Sequence, residues 1–161
     1  MDRLWAPWRA EYIRSIDKEE GCFLCRAASE SDDQKNLILH RGRWNFVILN
    51  RYPYNAAHLM VAPFAHTADL LSLTSESRDE MLYLAGKSME IITRLLKSDG
   101  FNCGFNLGRV AGAGLIDHIH FHIVPRWNGD TNFLPVIGET KCISEHIQRT
   151  YEELLPAFSK I

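Results

Sequence analysis

The sequence predicts an α+β fold, an antiparallel sheet of about five strands with one long helix and a C-terminal helix. Short apolar runs of strand length follow one another with turn residues between them. One segment of helical periodicity separates the first three runs from the last two. A weaker amphipathic stretch follows near the C-terminus.

In chain order, Met1-Asp2-Arg3-Leu4-Trp5 is charged at once and lacks the apolar core of an export signal. Trp5, Trp8, Tyr12 and Ile16 recur at near-helical spacing and are expected to pack on the domain or on a second subunit. The polar run Ser29 to Asn36 reads as a surface loop. Leu37–His40, Asn45–Asn50 and His58–Ala62 have strand character. Pro53 and Asn55, in Arg51-Tyr52-Pro53-Tyr54-Asn55, favour a turn between the last two.

From Ser75 to about Asp99, Met81, Leu84/Ala85, Ser88, Ile91/Ile92 and Leu95/Leu96 recur at helical spacing. Ser77 and Glu80 have capping-box spacing near the start of this helix, and Gly100 can close its end. Cys103–Leu107 and His118–Pro125 read as further strands. Ile147, Tyr151, Leu154/Leu155 and Phe158 give the C-terminal helix, which Pro156 is expected to disturb. Cys103 and Cys142 read as core thiols.

The 161 residues, 46% hydrophobic, suit one globular domain. Its parts are an N-terminal extension over 1–21, a core over 22–138 and a C-terminal segment over 139–161. With 18 basic against 20 acidic side chains the net charge is −2, which excludes the broad basic surface of a non-specific nucleic-acid binder. Local recognition of an anionic small molecule remains open. No stretch approaches the ~20 apolar residues of a membrane span. The expected setting is the cytoplasm, with neither nucleic acid nor membrane as partner. Disulfides are rare there, so Cys22-x-x-Cys25 reads as a metal or redox feature.

The segment Asp117-His118-Ile119-His120-Phe121-His122-Ile123-Val124-Pro125 carries the chemistry. On a strand, His118, His120 and His122 share one face while Ile119, Phe121 and Ile123 share the other. Same-face neighbours would lie ~6.6 Å apart and the outer pair ~13 Å apart. Zn–N bonds of ~2.0–2.1 Å then forbid one ion from holding both His118 and His122. A division of labour follows, with the central His120 as the natural nucleophile. Just upstream, Gly104 to Gly114 is glycine-rich and can bring backbone N–H groups close to an anion. It lacks the Gly-Lys-Ser/Thr ending of a P-loop.

His118–Val124 resembles the signature of the histidine triad (HIT) nucleotide hydrolases and transferases. Asn50 to Val61 resembles the upstream block of that family, and Pro125-Arg126-Trp127-Asn128-Gly129-Asp130 the segment after the triad. With Asn132 and Phe133 included, the chain is most similar to the branch containing bacterial diadenosine tetraphosphate phosphorylases. The resemblance implies a HIT-like fold, a homodimer, a nucleotide substrate and a covalent nucleotidyl-histidine intermediate on His120. It also implies that His122 contacts the α-phosphate and His58 lines the site. Asn50 would hold the ribose, and Asn106 would bind near ribose and phosphate. Gly112 and Gly114 would offer backbone groups, because this chain has Gly114 and Leu115 where many relatives carry Gln or Ser.

Zinc-binding relatives complete a Cys-x-x-Cys pair with a His after a Val-x-Pro strand end and with the first triad His. The matching residues are Cys22, Cys25, His66 and His118, a closed structural Zn²⁺ site. No organic cofactor is implied, and a divalent cation can accompany a polyphosphate substrate. Dinucleoside polyphosphates are the expected substrates, with water or phosphate as acceptor. The alternatives are nucleoside phosphoramidate hydrolysis, a low-turnover nucleotide-binding or interaction protein, and a metallohydrolase using the histidines as catalytic ligands.

Overall fold

Among the described residues five strands form: β1 (Ile38–Arg41), β2 (Asn45–Leu49), β3 (Leu59–Pro63), β4 (Gly100–Gly104) and β5 (Phe121–Arg126). They make one antiparallel sheet in the order β1-β2-β3-β5-β4. Among the described residues four α-helices accompany it: α1 (Phe23–Ser29), α2 (Asp33–Asn36), α3 (Ser75–Leu96) and α4 (Ile147–Phe158). This computed structural model describes residues 21–130 and 146–161. The Trp5, Trp8, Tyr12 and Ile16 stripe, Asn132, Phe133 and Cys142 lie outside the described residues.

Strand alternation divides the core in two. Leu37, Leu39, Val47, Leu49, Leu59, Val61, Ile119 and Ile123 point to the side covered by α3 and α4. Ile38, Phe46, Ile48, Met60 and Ala62 point to the other, where Leu24 and Ala27 of α1 pack. Met60 stands opposite His122, so the histidines lie on the α1 side, away from the long helix. Arg41 fixes α1 there by donating to the carbonyls of Ala27, Ala28 and Glu30 and to the Asp33 carboxylate.

Several boundaries differ from the sequence expectation. The run Ser29 to Asn36 is not wholly loop, because Asp32 caps the short α2 by accepting from Lys35 N at 3.0 Å. Helix α1 gave no periodic signal, since seven residues are too few to show one. Thr74, not Ser77, caps α3, and its hydroxyl accepts from Ser77 N at 3.2 Å. Glu80 instead turns to the β1–β2 turn, where it accepts from the backbone N–H groups of Arg43, Trp44 and Asn45.

At the far end of α3, Lys97 adopts the left-handed conformation at φ 55° and stops the helix, leaving Gly100 to begin β4. β4 starts three residues earlier than its apolar run suggested, because it pairs with β5 from Gly100↔Arg126 to Gly104↔His122. Cys103 on this edge strand is exposed, not a core thiol. Pro156 sits in the last turn of α4, where its missing N–H does not prevent helix as far as Phe158.

Candidate active site and metal cluster

The histidine segment enters the sheet later than predicted. Regular β5 begins at Phe121, and Ile119 N bonds Thr67 O at 2.7 Å outside the ladder. His118 therefore precedes the strand, and the even spacing expected of a triad on one strand does not hold. His120 and His122 come together, with ring centroids 4.7 Å apart and planes at 71°. His118 turns instead to the two cysteines. His118, His120 and His122 are all buried.

His58, at the start of β3 and fully buried, reaches His122 across the sheet, Nε2 to Nδ1 at 2.9 Å. The Asn50–His58 turn aims it. Asn50 N donates to His58 O at 2.8 Å, and Ala57 takes φ 53° to bring the chain round. Tyr54 N then donates to His58 Nδ1 at 3.0 Å.

These bonds fix the proton positions. A backbone N–H can only donate, so a neutral His58 carries its proton on Nε2 and gives it to His122 Nδ1. His122 then holds its own proton on Nε2. The 3.4 Å approach of Asn106 Nδ2 to that nitrogen is too long to compete with bonds of 2.9 and 3.0 Å. His120 Nδ1 faces the His118 carbonyl at 2.8 Å. A carbonyl only accepts, so His120 is protonated on Nδ1 and its Nε2 lone pair is free.

Burial keeps the group neutral. It holds His58 down at about 3, helped by the neighbouring His122 and His120, and His122 at about 4, helped by His120. Burial likewise lowers His120, against the opposing bond to the His118 carbonyl. A neutral imidazole with a free lone pair, beside a neutral imidazole that can donate a proton, is an arrangement capable of nucleophilic attack.

Of the other predicted residues, Asn50 and Asn106 join this group. Asn50 Oδ1 accepts from Tyr52 N at 2.9 Å, and its Nδ2 lies 3.3 Å from His58 Nδ1. Asn106 Nδ2 donates to the Tyr54 hydroxyl at 3.1 Å. Gly112 and Gly114 lie on an exposed loop, and the Gly112 amide is spent locally on Arg109 O at 3.0 Å. Arg126, in the segment after the triad, forms a two-pronged pair with Asp130 at 2.7 and 2.8 Å. The residue that sequence reasoning missed is Tyr54, whose ring stacks on His122. Its only signal was its place four positions before His58 in the predicted turn.

Cys22, Cys25, His66 and His118 converge beside this group, with their ligand atoms all within 4.8 Å of one another. Cys22 Sγ and Cys25 Sγ lie 3.2 and 3.4 Å from His118 Nδ1. His66 Nδ1 lies 3.3 Å from both Cys25 Sγ and His118 Nδ1. In a tetrahedron with bonds of ~2.3 Å to sulfur and ~2.05 Å to nitrogen, such edges are about 3.4–3.6 Å. The donors thus fit one small ion with little movement. His118 Nε2 donates to Pro63 O at 2.9 Å, which leaves its Nδ1 lone pair for that ion. His118 thus sits with the cysteines and His66, whereas His122 sits with His58.

The HIT domain family matches residues 32–129. An AP-4-A phosphorylase of Mycobacterium tuberculosis is 35% identical over 157 residues, taking in 93% of this chain and 80% of the relative. Adenosine 5'-monophosphoramidase hnt1 of Schizosaccharomyces pombe is 32% identical over 84 residues, 52% of this chain and 59% of the relative. Among solved structures, a Zn-bound histidine triad family protein from Mycobacterium smegmatis superposes with a TM-score of 0.69 at 25% identity, covering 87% of this chain and 94% of that one. The chain belongs to the HIT domain family. It is an enzyme of that family's nucleotide hydrolase and phosphorylase class.

Proposed function

We propose that the chain cleaves dinucleoside polyphosphates of the diadenosine tetraphosphate kind through a nucleotidyl-His120 intermediate. The observation that carries this reading is the 2.8 Å bond from His120 Nδ1 to the His118 carbonyl, which leaves the Nε2 lone pair unprotonated. Nε2 attacks the α-phosphorus, the P–O bond to the leaving nucleotide breaks, and its electron pair departs with that oxygen. His122, protonated on Nε2 through His58, donates to the α-phosphate as charge builds. Asn50 holds the ribose, and Asn106 with the Gly112 and Gly114 loop borders the phosphates. Phosphate or water then attacks the same phosphorus and frees His120.

The likeness to the mycobacterial AP-4-A phosphorylase favours phosphate as acceptor. Incubating the protein with diadenosine tetraphosphate, with and without phosphate, tests this. ADP and ATP formed only with phosphate are expected; AMP and ATP regardless of phosphate would instead mean a hydrolase. His120→Ala abolishes the covalent adduct, and an adduct surviving in that variant sinks the nucleophile assignment.

In this reading Cys22, Cys25, His66 and His118 hold Zn²⁺. Two thiolates and two imidazoles suit zinc, and the Zn-bound mycobacterial neighbour supports the choice. When bound, the ion ties the α1 end to the histidine segment and supplies no reacting group. We read residues 1–161 as one domain, assembled as a homodimer in the cytoplasm, and β4 supplies an exposed sheet edge for such pairing. Among the described residues, no helix is long and apolar enough to cross a membrane.

A further inference from the structure

Tyr54 enters the steps above only through its main-chain N–H, yet its side chain is built into the same group. Its ring stacks on His122 at 5.6 Å with planes 28° apart, and tilts over His58 at 4.5 Å. Its hydroxyl oxygen accepts from Asn106 Nδ2 at 3.1 Å. Among the described residues no acceptor takes the phenolic proton, and the side chain is half exposed. The neighbouring loop offers no rival hydroxyl, because Gly112 and Gly114 have no side chain and Leu115 has an apolar one. A donor held at the His122–Asn106 edge, with its proton uncommitted, suits a phosphate-chain oxygen that gathers negative charge.

We propose that Tyr54 donates a hydrogen bond to the bridging oxygen that leaves when His120 is nucleotidylated. This rests on the nucleotidyl-His120 reading. As the N–P bond forms and the P–O bond breaks, the electron pair stays on the departing oxygen. The phenolic proton remains on Tyr54. The hydrogen bond strengthens with the charge on that oxygen, so its contribution grows as the leaving group becomes more basic. A role confined to orienting Asn106 or His122 would not depend on the leaving group.

The test compares the wild-type full chain with Tyr54→Phe, which keeps the stacking ring. The substrates are phenyl and p-nitrophenyl esters of AMP, beside diadenosine tetraphosphate. For the phenyl ester, kcat/KM is expected to fall roughly tenfold to hundredfold. For the p-nitrophenyl ester, whose leaving oxygen carries less charge, the loss stays below about threefold. Equal losses on both esters, or none on either, overturn the proposal. A wild-type chain that turns over the esters and not the dinucleotide refutes the substrate reading and leaves the Tyr54 comparison decisive. A wild-type chain inert towards both esters overturns the proposal along with the covalent reading.

Discussion

The carbonyl oxygen of His118 lies 2.8 Å from Nδ1 of His120. The ring of His118 faces the two cysteines while its main chain decides which nitrogen of His120 is free. One residue thus joins the Cys22–Cys25–His66 cluster, through its ring, to the proposed nucleophile His120, through its carbonyl.

Metal removal therefore lowers stability more than it lowers turnover. A ligand present at a hundred times its dissociation constant adds about 2.7 kcal/mol, or roughly 5–10 °C in Tm for a chain of this size. Calorimetry with equimolar zinc and with excess chelator should show that gap, and cleavage at 25 °C should persist within about tenfold. Complete loss of cleavage on chelation would mean that the ion takes part in the reaction.

Acid weakens the fold through the buried pair. Burial holds His58 at about 3 and His122 at about 4, each below its ordinary 6.5. The unfolded chain binds protons on both from about pH 6.5 downward, whereas the folded chain does not. Their contribution is thus full above about pH 6.5 and is lost as pH falls towards the folded values, by at most about 1.4 kcal/mol per pH unit for each. Urea midpoints of the metal-free protein at pH 7 and pH 5 should diverge less in His58→Gln. An equal shift of the midpoint between the two pH values in both proteins would refute this account.

Glu80 joins the long helix to the first hairpin. Its carboxylate accepts from three backbone N–H groups at 2.7–2.8 Å and from Asn45 Nδ2 at 2.9 Å. Glu80→Ala leaves these donors without that acceptor and should destabilise by roughly 2–4 kcal/mol. Thermal unfolding measures this. A drop below about 0.5 kcal/mol, the size of an ordinary surface change, would contradict it.

Ala57 sits in the left-handed region at φ 53° and is buried beside His58. A β-branched side chain is strained there and overfills the core, so Ala57→Val should cost at least about 2 kcal/mol. Ala57→Gly removes the strain and should fold normally. If valine unfolds at the same denaturant concentration as wild type, the turn has another conformation.

The sequence made the long helix legible because Met81, Leu84/Ala85, Ile91/Ile92 and Leu95/Leu96 recur at helical spacing. The pairing of His118 with Cys22, Cys25 and His66 was legible from the matched motif, although the regular strand spacing used to separate it from His122 does not extend back to His118. The start of β5 was not legible. Alternation continues through His118, and only the bond from Ile119 to Thr67 shows that the ladder has not yet begun. Glu80 was read as a local cap because its true partners lie some 35 residues away in the chain. Tyr54 escaped for a similar reason, since both His122 and Asn106 reach it only after β3 and β5 pair.

The strand order also sets a timetable. β1, β2 and β3 can zip up as successive hairpins, but His58 meets His122 only when segments 64 residues apart join across the α3 crossover. Closing so long a loop comes at an entropic disadvantage that local hairpins avoid. During refolding, competence to form the His120 adduct should return with the slowest phase, after most of the helical signal has recovered.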